Sequence, residues 1–266
     1  MSALDLTRLL EVAVFAARAA GDVVRRAYDT PPVAESKGRG DWVSDVDRRS
    51  EEVVRSILMS ADQGLEFLGE EGGGAGERRD RPGWVVDPVD GTTNFLRRHP
   101  AVGVSIALVD AGRPMVAVVH APMLGETFTA IRGRGAHRDG RRVRVSDRPV
   151  ANAVCATGFP FRDHQRARMS QYKPVLDDAL EAFEDLRRVG AASLDLAWTA
   201  SGTFDGYFEL GLGSWDVAAG GLLVEEAGGV VTDWSGDAFG WLESGDIVVG
   251  NPAVHARLLE LIGAAR

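Results

Sequence analysis

Asp87 and Asp90 lie close together in the string Trp84-Val-Val-Asp-Pro-Val-Asp-Gly-Thr-Thr-Asn-Phe95, an apolar run that ends in two carboxylates and then passes into glycine and hydroxyl residues. Trp84, Val85 and Val86 favour a buried strand, and Pro88 withholds a ladder hydrogen bond and stiffens the backbone between the two acids. Gly91 permits a sharp bend, after which the amides of Gly91, Thr92 and Thr93 can open a helix whose N-terminus attracts an anion, most naturally a phosphate. The string therefore offers donors for a cation beside donors for an anion.

Two further acids stand at predicted element ends: Glu70 after a short apolar run from Leu65, and Asp216 at the start of a helical segment. Two unit charges at ~4 Å repel by ~4 kcal/mol at an effective dielectric near 20, so four converging carboxylates stay ionised only if cations fill the site. Oxygen donors without cysteine or paired histidines point to magnesium. Taken alone, Asp216 before Val-Ala-Ala reads as an ordinary helix N-cap, and only the joint pattern favours a ligand.

The elements that must position these residues are legible in outline. Leu6, Leu9, Leu10, Ala13, Ala17 and Val24 recur at helical spacing and predict an amphipathic helix ending before Pro31-Pro32; a second helix is expected from Asp47 through Leu58. Leu65 to Glu71 reads as a strand that delivers Glu70 into a charged glycine-rich loop, Gly72 to Gly83. Apolar β-branched runs between Val102 and Ala130 predict antiparallel strands, and Asp139-Gly140 marks a hairpin. Beyond Ser146 strands alternate with helices, around Ala153 to Gly158, Met169 to Phe183, Leu186 to Val189, Ser193 to Ser201, and Trp215 to Ala227 with Gly228-Gly229 as its stop. Short strands at Val230-Val231 and Ile247 to Gly250 precede a closing helix from Pro252 to Ala265. The expected class is α/β with an α+β N-terminal half, residues 1–145, and an α/β C-terminal half, residues 146–266.

Composition narrows the function. A 266-residue chain with 45% hydrophobic residues can build a real core, and a net charge of −9 argues against a general nucleic-acid binder. The single cysteine, Cys155, excludes an internal disulfide framework. Charges at Asp5, Arg8, Glu11, Arg18 and Asp22 break any apolar leader or spanning segment, so a cytoplasmic protein without membrane association is expected.

Three separated stretches, Gly69-Glu70-Glu71, Asp87 through Phe95, and Trp215-Asp-Val-Ala-Ala-Gly-Gly-Leu-Leu-Val-Glu-Glu-Ala-Gly-Gly, occur in the order found in the inositol monophosphatase family, which the chain resembles over essentially its full length. Lys37-Gly-Arg-Gly-Asp41 through Asp47 is a weaker fourth match. The resemblance implies a layered αβαβα sandwich of the inositol monophosphatase and fructose-1,6-bisphosphatase type, and a magnesium-dependent, lithium-sensitive phosphatase active as a homodimer. It implies that Glu70, Asp87 and the carbonyl of Val89 bind one magnesium, and that Asp87, Asp90 and Asp216 bind a second, with Glu70 able to reach a third. Gly91 and Thr92 would cradle the phosphate, and Asp47 would hydrogen-bond Thr92. Water activated by the metals, Glu70 and the Thr92-Asp47 pair would then attack phosphorus in line. Ala192 and Glu209 match positions facing the alcohol half of the ester, a phosphorylated polyol or sugar, and Asp216 would also contact it. Inositol 1-phosphate heads the candidates, ahead of fructose 1,6-bisphosphate, histidinol phosphate and nucleotide 3′-phosphates.

Several features fit less simply. Leu96-Arg97-Arg98-His99 stands where the family usually has a histidine-glycine pair; two arginines at a pocket mouth would favour a more anionic substrate, or they pair with surface acids. Glu209 has an alternative reading as a solvated strand end, and Lys37 to Asp41 reads either as a mobile metal-organising loop or as a polar connector. The basic stretch from Arg132 to Arg144 reads as a solvated hairpin, with an RNA- or protein-binding regulatory role on a phosphatase scaffold as the alternative from a different class. His99, His120, His137, His164 and His255 lie at no metal-ligand spacing and are read as structural or surface residues.

Overall fold

The computed structural model describes residues 4–30, 33–39, 41–72, 81–163 and 165–265. Helix α1 (Leu6–Ala27) starts at Asp5, whose carboxylate accepts from the Arg8 amide at 3.1 Å, and buries the stripe Leu9, Ala13, Ala16, Ala17, Ala20 and Val24. Pro31 and Pro32 lie outside the described residues. Strands β1 (Ala34–Gly38) and β2 (Asp41–Ser44) pair as an antiparallel hairpin, so the Lys37 to Asp41 stretch expected as a loop is paired strand on either side of Gly40, itself outside the description. Helix α2 (Asp45–Ala61) begins two residues before the expected Asp47, because Ser44 accepts from the Val46 amide while the Asp47 carboxylate accepts from the Ser44 amide at 3.0 Å.

The larger sheet runs in chain order through β3 (Glu66–Gly69), β4 (Gly83–Asp90), β5 (Gly103–Asp110), β6 (Arg113–Ala121), β7 (Glu126–Ile131), β8 (Ala136–Arg138) and β9 (Arg141–Val143), with helix α3 (Thr92–Leu96) between β4 and β5. Strands β3 and β4 are parallel, which sets Glu70 beside the end of β4, and the other pairs are antiparallel. Val104 through Leu108 are all buried, as a strand covered by helices on both faces requires. The β8–β9 turn is Asp139-Gly140, both at positive φ.

The smaller sheet is built from β10 (Val154–Thr157), β11 (Asp185–Arg187), β12 (Gly206–Glu209), β13 (Val230–Thr232) and β14 (Ile247–Gly250) in the order β11-β10-β12-β14-β13. The helices of this half are α4 (Met169–Ala182), α5 (Ala192–Ala200), α6 (Ser214–Glu226), α7 (Trp241–Ser244) and α8 (Pro252–Ala264). Helices α1 and α2 cover the outer face of the larger sheet, α5 and α6 fill the space between the sheets, and α4 and α8 cover the smaller one. The result is an αβαβα sandwich. The middle layer is buried on both sides: Leu194, Leu196, Val217, Leu222 and Leu223 of its helices are fully buried. Among the described residues no helix is long and apolar enough to cross a membrane.

Pro88 does more than end a ladder. The β4–β5 register runs Asp87↔Ser105 and then Asp90↔Gly103, so one extra residue is accommodated between the two acids. In a regular strand residues three apart point to opposite faces, and the bulge at Pro88-Val89 removes that opposition. Both carboxylates thereby reach the same cleft.

Candidate active site

The cleft encloses about 350 Å³ where the end of β4, the N-terminus of α3, the turn after β3, the end of β12 and the N-terminus of α6 meet. Asp87, Asp90 and Asp216 are buried, and each offers a carboxylate oxygen within 4.8 Å of the others. Asp90 accepts from the Ser193 amide at 2.7 Å and from its hydroxyl at 2.5 Å. Asp87 accepts from the Val89 amide at 2.9 Å. Asp216 is not the N-cap of α6: Gly213 holds that position, and the Asp216 carboxylate, one turn in, accepts from the Gly213 amide at 2.6 Å. Glu70 lines the same cleft, its amide held by the Val86 carbonyl at 3.1 Å, and its carboxylate lies 3.5 Å from the Lys37 ammonium, which also meets Glu71 at 2.7 Å.

Beside the acids is the anion side. Gly91 sits at φ +91°, and a side chain there would crowd the Ala101 carbonyl and Ala191, which explains the glycine. The Thr92 hydroxyl lies 2.9 Å from an Asp47 carboxylate oxygen and 3.2 Å from the Val89 carbonyl. Burial pushes Asp47 upward in pKa, against the hydrogen bonds it accepts from Ser44 and Thr92.

The cluster is electrostatically expensive without a cation. Burial first, then the Asp216 charge, raise Glu70 to about 8, and the same two causes raise Asp90 to about 6. Asp87 is pushed well up by burial and by Glu70, Asp90 and Asp216 around it. Asp216 is raised by burial, against the pull of the Arg162 charge. Buried oxygen donors that resist ionisation, with no sulfur or imidazole among them, fit a hard divalent cation.

Ala192 and Glu209 also line the cleft. Glu209 is no solvated strand end: it faces the cleft, the Tyr207 hydroxyl donates to it, and burial lifts it to about 7. Arg162 and Arg188, which were not among the residues expected from sequence, line the cleft with Phe159 and Phe161. The Arg188 guanidinium lies 5.8 and 5.7 Å from the two ring centroids. Burial opposes the Arg162 charge, yet the surrounding Asp216, Asp41, Glu70 and Glu209 charges hold its pKa above the ordinary arginine value. Phe159 to Arg162 follow the end of β10, and Arg188 the end of β11; strand ends facing a cleft were the available signal.

Arg97 and Arg98 are not at the cleft. Both are exposed, and the Arg98 guanidinium donates to the Asp29 carbonyl at 3.2 Å. Much of the basic stretch is used internally: Arg132 pairs with Glu225 at 2.8 Å, Arg134 donates to the Thr7 hydroxyl at 2.7 Å, and Arg138 pairs with Glu126. His120 packs under Gly21 of α1 and His255 meets Thr232 at 2.9 Å, both away from the cleft. His164 and residues 73–80 lie outside the described residues. Cys155 is buried, which pushes its thiol pKa up.

Residues 5–266 match the sequence profile of the inositol monophosphatase family. A Neisseria meningitidis protein named putative Nus factor SuhB is 45% identical over 258 residues, covering 96% of this chain and 98% of the relative. Among solved structures, the extragenic suppressor protein SuhB of Bartonella henselae superposes with a TM-score of 0.90 at 37% identity, covering 96% of this chain and 98% of that one. The inositol monophosphatase of Anabaena gives 0.85 at 33% identity, covering 98% and 97%. The chain belongs to the inositol monophosphatase family.

Proposed function

We propose that the protein is a magnesium-dependent phosphate monoester hydrolase acting on a phosphorylated polyol, with inositol 1-phosphate the first candidate. The observation that carries this reading is the Asp87-Asp90-Asp216 carboxylate cluster immediately beside Gly91 and Thr92. Glu70, Asp87 and the Val89 carbonyl would hold one ion, Asp87, Asp90 and Asp216 a second, and Glu70 would reach a third. When bound, magnesium neutralises phosphate charge and lowers the pKa of water. The chain supplies the positioning. The amides of Gly91 and Thr92 orient the phosphate oxygens, and a proton taken from water at the Thr92 hydroxyl passes along the 2.9 Å contact to Asp47. Glu70, lining the same cleft, would accept a hydrogen bond from the other hydrogen of that water and align it for attack. A general base contributes only ~10²–10⁴, whereas this hydrolysis needs up to ~10²¹, so charge neutralisation and positioning carry most of the rate.

Glu209 selects the alcohol half by accepting hydrogen bonds from vicinal hydroxyls, with Ala192 leaving room for the ring. Lithium inhibits by entering one of the magnesium positions, and the enzyme works as a cytoplasmic homodimer. The test is phosphate release from inositol 1-phosphate, fructose 1,6-bisphosphate, histidinol phosphate, a nucleoside 3′-phosphate and an aryl phosphate, with magnesium and after chelation. A highest kcat/KM on inositol 1-phosphate supports the proposal; no magnesium-dependent release from any of them sinks it.

A second reading has its own observation: the 45%-identical relative is named as a putative Nus factor, not as a phosphatase. A partner-binding role predicts association that survives Asp90→Asn, whereas hydrolysis does not.

A further inference from the structure

One face of α2 touches three separate pieces of the site. Asp47, Ser50 and Glu51 fall at positions i, i+3 and i+4, so they share a face, and all three are buried at 1%, 0% and 6% exposure. Asp47 accepts from Thr92 in α3. The Ser50 hydroxyl donates to the Pro88 carbonyl at 3.1 Å, inside the bulge that separates Asp87 from Asp90. The Glu51 carboxylate accepts from the Glu71 amide at 2.8 Å, in the turn that carries Glu70.

We infer that α2 is a brace for the carboxylate cluster, with Glu51 the positioning residue for Glu70 and Ser50 its counterpart at the β4 bulge; this rests on the phosphatase reading above. The Glu70 amide is fixed by Val86 and the following amide by Glu51, so the peptide groups on both sides of Glu70 are anchored. Gly69 and Gly72 close the turn around the Glu51 carboxylate: a Cβ on either would run into it. The glycines are therefore explained by close approach to a side chain, without any demand for positive φ. Burying a carboxylate inside a turn that already holds Glu70 and Glu71 adds like-charge repulsion, which a core selected for stability alone would avoid. What the turn gains is a rigid acceptor anchored on a capped helix.

The roles of Glu51 and Ser50 are separable from the reaction itself by measuring metal binding directly. Magnesium titrations by calorimetry on wild type, Glu51→Ala, Glu51→Gln and Ser50→Ala are run beside thermal melts and aryl phosphate kinetics. Loss of an outer partner of a metal ligand typically costs 10–100-fold in affinity, so Glu51→Ala is expected to weaken magnesium at least about 10-fold. The KM for ester at saturating magnesium stays within about twofold, because Glu51 does not face the substrate wall. Glu51→Gln keeps an acceptor oxygen and recovers affinity to within about threefold of wild type. A purely structural role would lower the melting temperature and leave magnesium affinity unchanged, and that result for Glu51→Ala overturns the inference. Equal losses in Glu51→Gln and Glu51→Ala overturn it as well. If Glu51→Ala fails to fold, Ser50→Ala, which loses one hydroxyl, decides: unchanged magnesium affinity refutes the brace. Wild-type protein that binds no magnesium refutes the phosphatase reading and takes the brace with it.

Discussion

Replacing Asp90 by asparagine should move stability and activity in opposite directions. Asp90 lies within 4.8 Å of both Asp87 and Asp216, and two unit charges at that separation repel by roughly 3 kcal/mol at an effective dielectric near 20. Burial and the Asp216 charge together raise the Asp90 carboxyl from 3.8 to about 6, a cost of about 3 kcal/mol once it is ionised, at 1.36 kcal/mol per pKa unit. Asparagine removes that charge while its carbonyl still accepts from the Ser193 amide and hydroxyl. In chelator at pH 8, Asp90→Asn should therefore be more stable than wild type by about 2–3 kcal/mol, or roughly 4–6 °C in melting temperature for a chain of this size. Below about pH 4 wild-type Asp90 is itself neutral, and the difference should vanish. With magnesium present the order reverses: the variant has lost a ligand, and its phosphate release should fall at least about 100-fold. Thermal melts across pH with and without magnesium, together with phosphate release on the same samples, make the test. Retention of most of the wild-type rate refutes the assignment of Asp90. A metal-free variant no more stable than wild type at pH 8 refutes the electrostatic account of the cluster.

Metal-free wild-type protein should lose stability as pH rises, since Asp90, Glu209 and Glu70 have folded-state values of about 6, 7 and 8, above their ordinary range. Raised values mean stability fully present below about pH 4 and lost as pH climbs through 6, 7 and 8; saturating magnesium should flatten the curve, and a flat curve in chelator counts against the shifts. Thr92→Ala should fold normally and lower kcat about 10²-fold, read in magnesium-saturated kinetics, because the Asp47 contact can no longer move a proton. Glu209→Ala should lower kcat/KM for inositol 1-phosphate about tenfold more than for an aryl phosphate, and equal losses would remove Glu209 from substrate selection. Gly91→Ala forces a side chain to φ +91° against the Ala101 carbonyl, and should cost about 1–3 kcal/mol in denaturant unfolding as well as activity.

The amino-acid sequence by itself determined the chemistry on offer. Acids at strand ends, a glycine-hydroxyl turn after Asp90 and a helix start at Asp216 are local features, set by residue type and by the preferences of Pro88, Gly91 and Gly228 for particular backbone shapes. The class of fold was legible for the same reason, since the change from antiparallel runs to alternating strands and helices is written in short-range patterns. What needed tertiary structure is whatever depends on register or on distant segments. Asp87 and Asp90 share one cleft only because the β4–β5 pairing slips by a residue at Pro88-Val89, and register is fixed by the partner strand. Asp216, which read as a ligand only through the joint pattern, sits one turn inside α6 below Gly213, and its approach to Asp87 and Asp90 is settled by where α6 docks. Arg162 and Arg188 reach the cleft from the ends of β10 and β11, whereas Arg97 and Arg98, beside the key string in sequence, turn outward. Glu51 and Ser50 look like ordinary helix residues until folding presses α2 against the two turns that carry the acids. Residue type decides which reaction is possible, and packing between segments far apart in the chain decides which residues take part, because a side chain's direction and charge environment are set by its neighbours in space.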